Sequence, residues 1–93
     1  MKIAINRCFG SFSLSKEAYE FLGIEWDGYG YAYHDHDKRD DAKLIECIET
    51  IGEEKASGEC AQIIVVEIPD DVEYFIDNYD GIETIHEVHQ VWP

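Results

Sequence analysis

The stretch Ala61-Gln62-Ile63-Ile64-Val65-Val66-Glu67-Ile68 decides the fold. Its β-branched residues run together without polar alternation, which predicts a strand covered on both faces, as at the centre of a sheet. The apolar run is too short to span a bilayer and stops at Glu67. Pro69-Asp70-Asp71 then breaks the strand. Beyond it, Val72–Tyr79 and Ile82–Val88 flank Asp80-Gly81, the pattern of a β-hairpin with a tight turn. Ile82, Ile85, His89 and Trp92 also fit a short helix, a competing reading of the last segment.

Working towards the N-terminus, Glu53–Glu59 reads as a polar connection. Leu44, Ile45, Ile48 and Ile51 share one face of a helix that starts near Asp41 and ends at Gly52, with Asp40 and Asp41 favourable at its positive end. Tyr29-Gly30-Tyr31-Ala32-Tyr33 alternates large and small residues, which predicts a strand with three tyrosines on one face. A shorter helix follows Ser15, its expected N-cap, with Leu14 placed to staple onto Tyr19 and Gly23 to close the end. Lys2–Cys8 alternates as a first strand. The expected architecture over residues 1–93 is a single acidic α+β domain, ordered β-α-β-α-β-β-β. A mixed sheet carries two packed helices and a C-terminal hairpin.

Twenty-one acids against seven bases give a net charge of −14. All seven bases lie in residues 1–55, so residues 56–93 hold nine acids and no Lys or Arg. Such a surface repels nucleic-acid phosphate and anionic lipid, so direct nucleic-acid or membrane binding is disfavoured. The N-terminal segment turns polar too early for a signal-peptide core, and the expected compartment is the cytoplasm. Cys8, Cys47 and Cys60 form no C-x-x-C pair and read as reduced, largely buried thiols.

Several clusters invite chemistry. His34 and His36, interleaved with Asp35 and Asp37, place two imidazoles on one side of an extended segment, as in divalent-metal sites; a solvated loop is the simpler reading. Asp35–Glu46 imitates a calcium loop but has Arg39 and Asp40 where a ligand and a glycine belong. Cys8 precedes a turn into a helix, where a thiol pKa can fall, yet no phosphate-loop arginine follows it. Tyr29, Tyr31 and Tyr33 with Arg7, Arg39, Ser11 and Ser13 form a candidate set for a nucleotide-like ligand. No cofactor is implied.

Lys2-Ile3-Ala4-Ile5-Asn6-Arg7-Cys8-Phe9-Gly10, Val66-Glu67-Ile68-Pro69-Asp70-Asp71-Val72 and Tyr79-Asp80-Gly81-Ile82-Glu83 resemble a group of small acidic proteins encoded in tailed-bacteriophage and prophage genomes. The likeness spans nearly the whole chain and is thinnest over residues 25–41. It carries over no catalytic residues. It implies an accessory protein in the cytoplasm of an infected bacterium, of a kind that often inhibits host nucleic-acid-handling or defence proteins. The leading expectation is therefore a non-enzymatic protein that binds a basic host protein through an acidic C-terminal face. Asp70, Asp71, Glu73, Asp77, Asp80, Glu83 and Glu87 would supply charge, and Tyr74, Tyr79 and Trp92 the anchors. The alternatives are the nucleotide-like signal binder and a small enzyme built on Cys8 or on a metal at His34 and His36.

Overall fold

The computed structural model describes residues 1–87 and the backbone of Val91–Trp92. In chain order it holds β1 (Lys2–Asn6), α1 (Lys16–Leu22), a 3₁₀ turn (His36–Lys38), α2 (Ala42–Ile51), α3 (Glu53–Ala56), β2 (Ile63–Glu67), β3 (Tyr74–Tyr79), β4 (Ile82–Glu87) and β5 (Val91–Trp92). The class is α+β with a C-terminal hairpin, as expected. The sheets differ from expectation: β1-β2 and β3-β4-β5 are separate and wholly antiparallel.

β2 is thus not central within a sheet, although both of its faces are covered. It pairs with β1 so that Ile5 lies opposite Ile64 and Ala4 opposite Val65. Alternation sends Ala4, Ile63 and Val65 towards a cluster built on Phe12, Leu14, Ala18, Leu44 and Ile48. Ile3, Ile5, Ile64 and Val66 point the other way, onto Ile68, Ile76 and Ile85. The two-stranded ribbon is the middle of three layers, with helices on one side and the hairpin on the other. Covering both faces needs apolar residues at consecutive positions, which explains the unbroken run.

Local chemistry fixes the helices. The Ser15 side chain accepts from the Ala18 amide at 3.1 Å, and Gly23, at φ 71°, closes α1. Asp41 caps α2 by accepting from the Leu44 amide at 3.1 Å. The buried face of α2 is Leu44, Ile45, Cys47 and Ile48. Glu53–Ala56, expected as a connection, forms the short helix α3.

The strand expected at Tyr29–Tyr33 is a loop. Asp27 captures it: Oδ1 accepts from the Tyr29 and Gly30 amides at 2.7 and 2.6 Å, and Oδ2 from the Tyr31 amide at 3.2 Å. Amides gathered on one carboxylate are unavailable to a ladder. Gly28 and Gly30 lie at φ 90° and 83°, and Gly30 packs so close to the Leu14 backbone that no Cβ fits. Gly30, which reads as a small partner of the tyrosines, is a conformational requirement of the loop.

The hairpin forms as read. Tyr79 pairs with Ile82 across Asp80 (φ 51°) and Gly81 (φ 92°), the two positive φ values of a type I′ turn. Residues 82–87 are strand, so the helical alternative for this segment falls away. His89 lies outside the described residues.

Candidate functional site

The least expected feature of the interior is a buried ion pair. Arg39 and Glu83 are 0% and 1% exposed, and the guanidinium grips the carboxylate with Nη1–Oε1 at 2.5 Å and Nη2–Oε2 at 2.8 Å. Arg39 also donates from Nε to the Tyr33 carbonyl (2.8 Å), from Nη1 to that of Ala4 (3.3 Å) and from Nη2 to that of His34 (2.9 Å). All five guanidinium N–H groups are thereby used. Its plane rests 3.6 Å over the Phe12 ring. Glu83 Oε1 accepts from the Asn6 amide at 2.8 Å, while the Arg39 carbonyl accepts from the Ala4 amide at 2.9 Å. Arg39 and Glu83 therefore satisfy the outer edge of β1 where a third strand would otherwise sit.

Asn6 extends this brace. Its side chain donates to the Cys8 and Gly81 carbonyls at 2.9 and 2.8 Å and accepts from the Gln62 amide at 2.8 Å. Arg7 Nη1 donates to the Glu83 carbonyl at 2.9 Å. Hairpin, ribbon and the loop before α2 meet at this junction.

These contacts correct two expectations. Arg39 has no donor left for a phosphate, and Glu83 is an internal partner of Arg39 instead of part of an exposed acidic face. Neither role was legible locally, because the two residues lie 44 positions apart.

The outer side of the hairpin is different. Register places Phe75, Asp77 and Tyr79 on the face shared with Ile82, Thr84 and His86, while Ile76 and Ile85 pack inward. Phe75 and Tyr79 are 57% and 74% exposed, and Phe75 stacks on His86 with centroids 5.2 Å apart. Phe9, also exposed, lies beside the turn, where the Gly10 amide donates to the Asp80 carbonyl at 3.2 Å. Asp77 on this face is exposed, as are Asp70, Asp71, Glu73 and Asp80 in the flanking sequence. The N-terminal ammonium bonded to Asp70 holds that carboxyl below the ordinary range. Tyr74, expected as an anchor, turns inward and is half-buried; burial raises its phenol pKa. Glu87 is half-buried, and Trp92 lies outside the residues whose side chains are described. Phe75 was missed, although alternation from Asp77 and Tyr79 would have found it.

The remaining candidates are scattered. Tyr29 and Tyr31 are exposed and stacked at 5.8 Å, but Tyr33 leaves them to pack on the helical core, its hydroxyl 3.3 Å from Asp41 Oδ2. Ser13 is buried and Ser11 half-buried. His34 packs on Tyr31 at 5.3 Å, whereas His36 points at Glu83, Nε2 to Oε2 3.6 Å. No group of three His, Cys, Asp or Glu among the described residues is arranged to hold a metal ion. Cys8 is half-buried; Cys60 is exposed, against expectation, and only Cys47 is fully buried, its thiol pKa raised by burial. No helix among the described residues is long and apolar enough to cross a membrane.

These features define a small antiparallel α+β domain, braced by an internal ion pair and presenting an acidic, aromatic hairpin. No family model, no curated protein and no solved structure matches the chain.

Proposed function

We propose that the protein is a non-enzymatic binding module that engages a basic protein surface through the outward face of its hairpin. The observation that carries this reading is the pairing of exposed Phe75 and Tyr79 with Asp77 on one sheet face, with exposed Asp71, Glu73 and Asp80 close by in sequence. The aromatics supply area that gains by leaving water, and the acids steer a cationic partner and reject anionic ones. The bacteriophage resemblance supplies the setting: an accessory protein in the cytoplasm of an infected bacterium, binding and inhibiting a host protein. The nucleotide-like alternative is weaker, since the phosphate partner Arg39 is fully engaged and the three tyrosines do not form one face.

Affinity capture from bacterial lysate tests the proposal. The expected catch is a basic protein released by salt. A triple reversal, Asp71→Lys with Glu73→Lys and Asp77→Lys, is expected to abolish capture while the fold survives, because all three side chains are exposed. Undiminished capture by this variant refutes the proposal.

A further inference from the structure

The treatment of the sheet edges is uneven. The outer edge of β1 is closed by Arg39 and Glu83. The outer edge of β2 is closed by side chains: the Ile63 amide donates to Ser57 Oγ at 2.9 Å and the Val65 amide to Glu53 Oε2 at 3.0 Å. Among the described residues, β3 has no such cover. The two-residue turn makes Tyr79–Ile82 a hydrogen-bonded pair, so the amides and carbonyls of Phe75, Asp77 and Tyr79 face β4. Those of Tyr74, Ile76 and Asn78 face away. The Glu83 carbonyl, taken by Arg7, confirms this phase from the other strand. Among the described residues, no backbone or side-chain group is hydrogen-bonded to the outward amides or carbonyls of Tyr74, Ile76 and Asn78. The strand carries no Pro and no Lys to deter pairing.

We infer that this edge receives an extended, basic segment of the partner, which adds to β3 as a further strand. The inference rests on the function proposed above and specifies how the partner is held. Charge chooses the occupant. A second copy would bring its own −14 to the contact and set Asp77 diagonally across from its twin, a repulsive arrangement. A cationic strand meets Asp77 with opposite charge, and its neighbours on that face meet Phe75 and Tyr79. The segment that fits therefore alternates: an apolar residue, a Lys or Arg, and an apolar residue at every second position. Backbone bonds to Tyr74, Ile76 and Asn78 supply the affinity, and the alternate side chains supply the choice of sequence.

The probe is the synthetic peptide Lys-Thr-Val-Thr-Arg-Thr-Val-Thr-Lys, compared with the same peptide N-methylated at its threonines, whose amides would face β3. Binding to the intact protein is followed by titration and by amide hydrogen exchange. The expected result is exchange slowed about tenfold or more at Ile76 and Asn78 by the first peptide. Methylation should weaken binding by about tenfold or more. If both peptides bind alike and leave those amides unprotected, strand addition is overturned while the acidic-face reading stands. If neither binds, strand addition is overturned, while lysate capture by the parent and its charge-reversed variant decides the acidic-face reading separately. A dimer of the protein alone, protected at the same amides, also overturns the inference, because the edge would then belong to a second copy.

Discussion

Replacing Glu83 with leucine leaves the Arg39 guanidinium buried with two of its five donors unpaired and the Asn6 amide without an acceptor. Breaking one side of a buried ion pair typically costs about 3–5 kcal/mol. Against a total stability of about 5–15 kcal/mol for a domain of this size, that is a large fraction. The urea midpoint of Glu83→Leu should fall by about 2 M or more. The informative variant is the double one, Arg39→Met with Glu83→Leu. Replacing both members of a buried pair by apolar residues is often neutral, or stabilising by about 1–4 kcal/mol. Here it also strips partners from the Ala4, Tyr33 and His34 carbonyls and the Asn6 amide. Of these, only the Ala4 carbonyl and the Asn6 amide are fully buried. A buried polar group left unpaired costs about 1–3 kcal/mol, so central values of about 4 kcal/mol lost and about 2.5 kcal/mol gained place the double variant about 1.5 kcal/mol below the parent. Chemical denaturation of the parent, both single variants and the double, read by circular dichroism, completes the cycle. A double variant as stable as the parent would show that the pair does not serve as the edge of β1.

Other outcomes follow from single sites. Phe75→Ala and Tyr79→Ala should each shift thermal stability little, since both rings are exposed, yet weaken partner capture by about tenfold or more in a titration. Asp27 is held at a pKa of about 2, chiefly by the Gly30 amide and next by that of Tyr29. Its folded pKa is depressed, so its contribution is complete above pH of about 4 and is lost as pH falls towards 2. Protection of the Gly30 and Tyr29 amides, taken against their intrinsic exchange rates, should fall over that window, and Asp27→Ala should show the same low protection at neutral pH. Gly81→Ala places a Cβ against the Gly10 backbone at φ 92° and should destabilise the hairpin by about 1–3 kcal/mol from strain alone, measurable by thermal melting. In the native protein a thiol reagent should modify Cys60 promptly and Cys47 only on unfolding. Equal rates would refute the burial of Cys47.

Elements governed by near neighbours were legible in the sequence. Ser15 and Asp41 cap helices three residues away, and Asp80-Gly81 dictates a turn within four positions, so spacing alone located them. Large–small alternation over Tyr29–Tyr33 imitates a strand, whereas Gly30 is there for its positive φ and the amides bind Asp27. Of the candidate surface, Asp71, Glu73, Asp77, Tyr79 and Asp80 are exposed as the charge distribution suggested. Glu83 looked no different from them. An acid among acids gives no local sign that an arginine 44 residues earlier will meet it in the core.

The acidity of the C-terminal third, the two capped helices and the hairpin were determined by the sequence itself, because each follows from composition or from contacts a few residues apart. Tertiary structure alone decided that the apolar strand lies in a ribbon between two layers, that Arg39 and Glu83 close one edge of that ribbon, and that β3 is left open among the described residues. The physical reason is that edge closure and ion pairing depend on which backbone groups remain unsatisfied after the layers pack. That remainder belongs to the assembled fold and to no single segment of the chain.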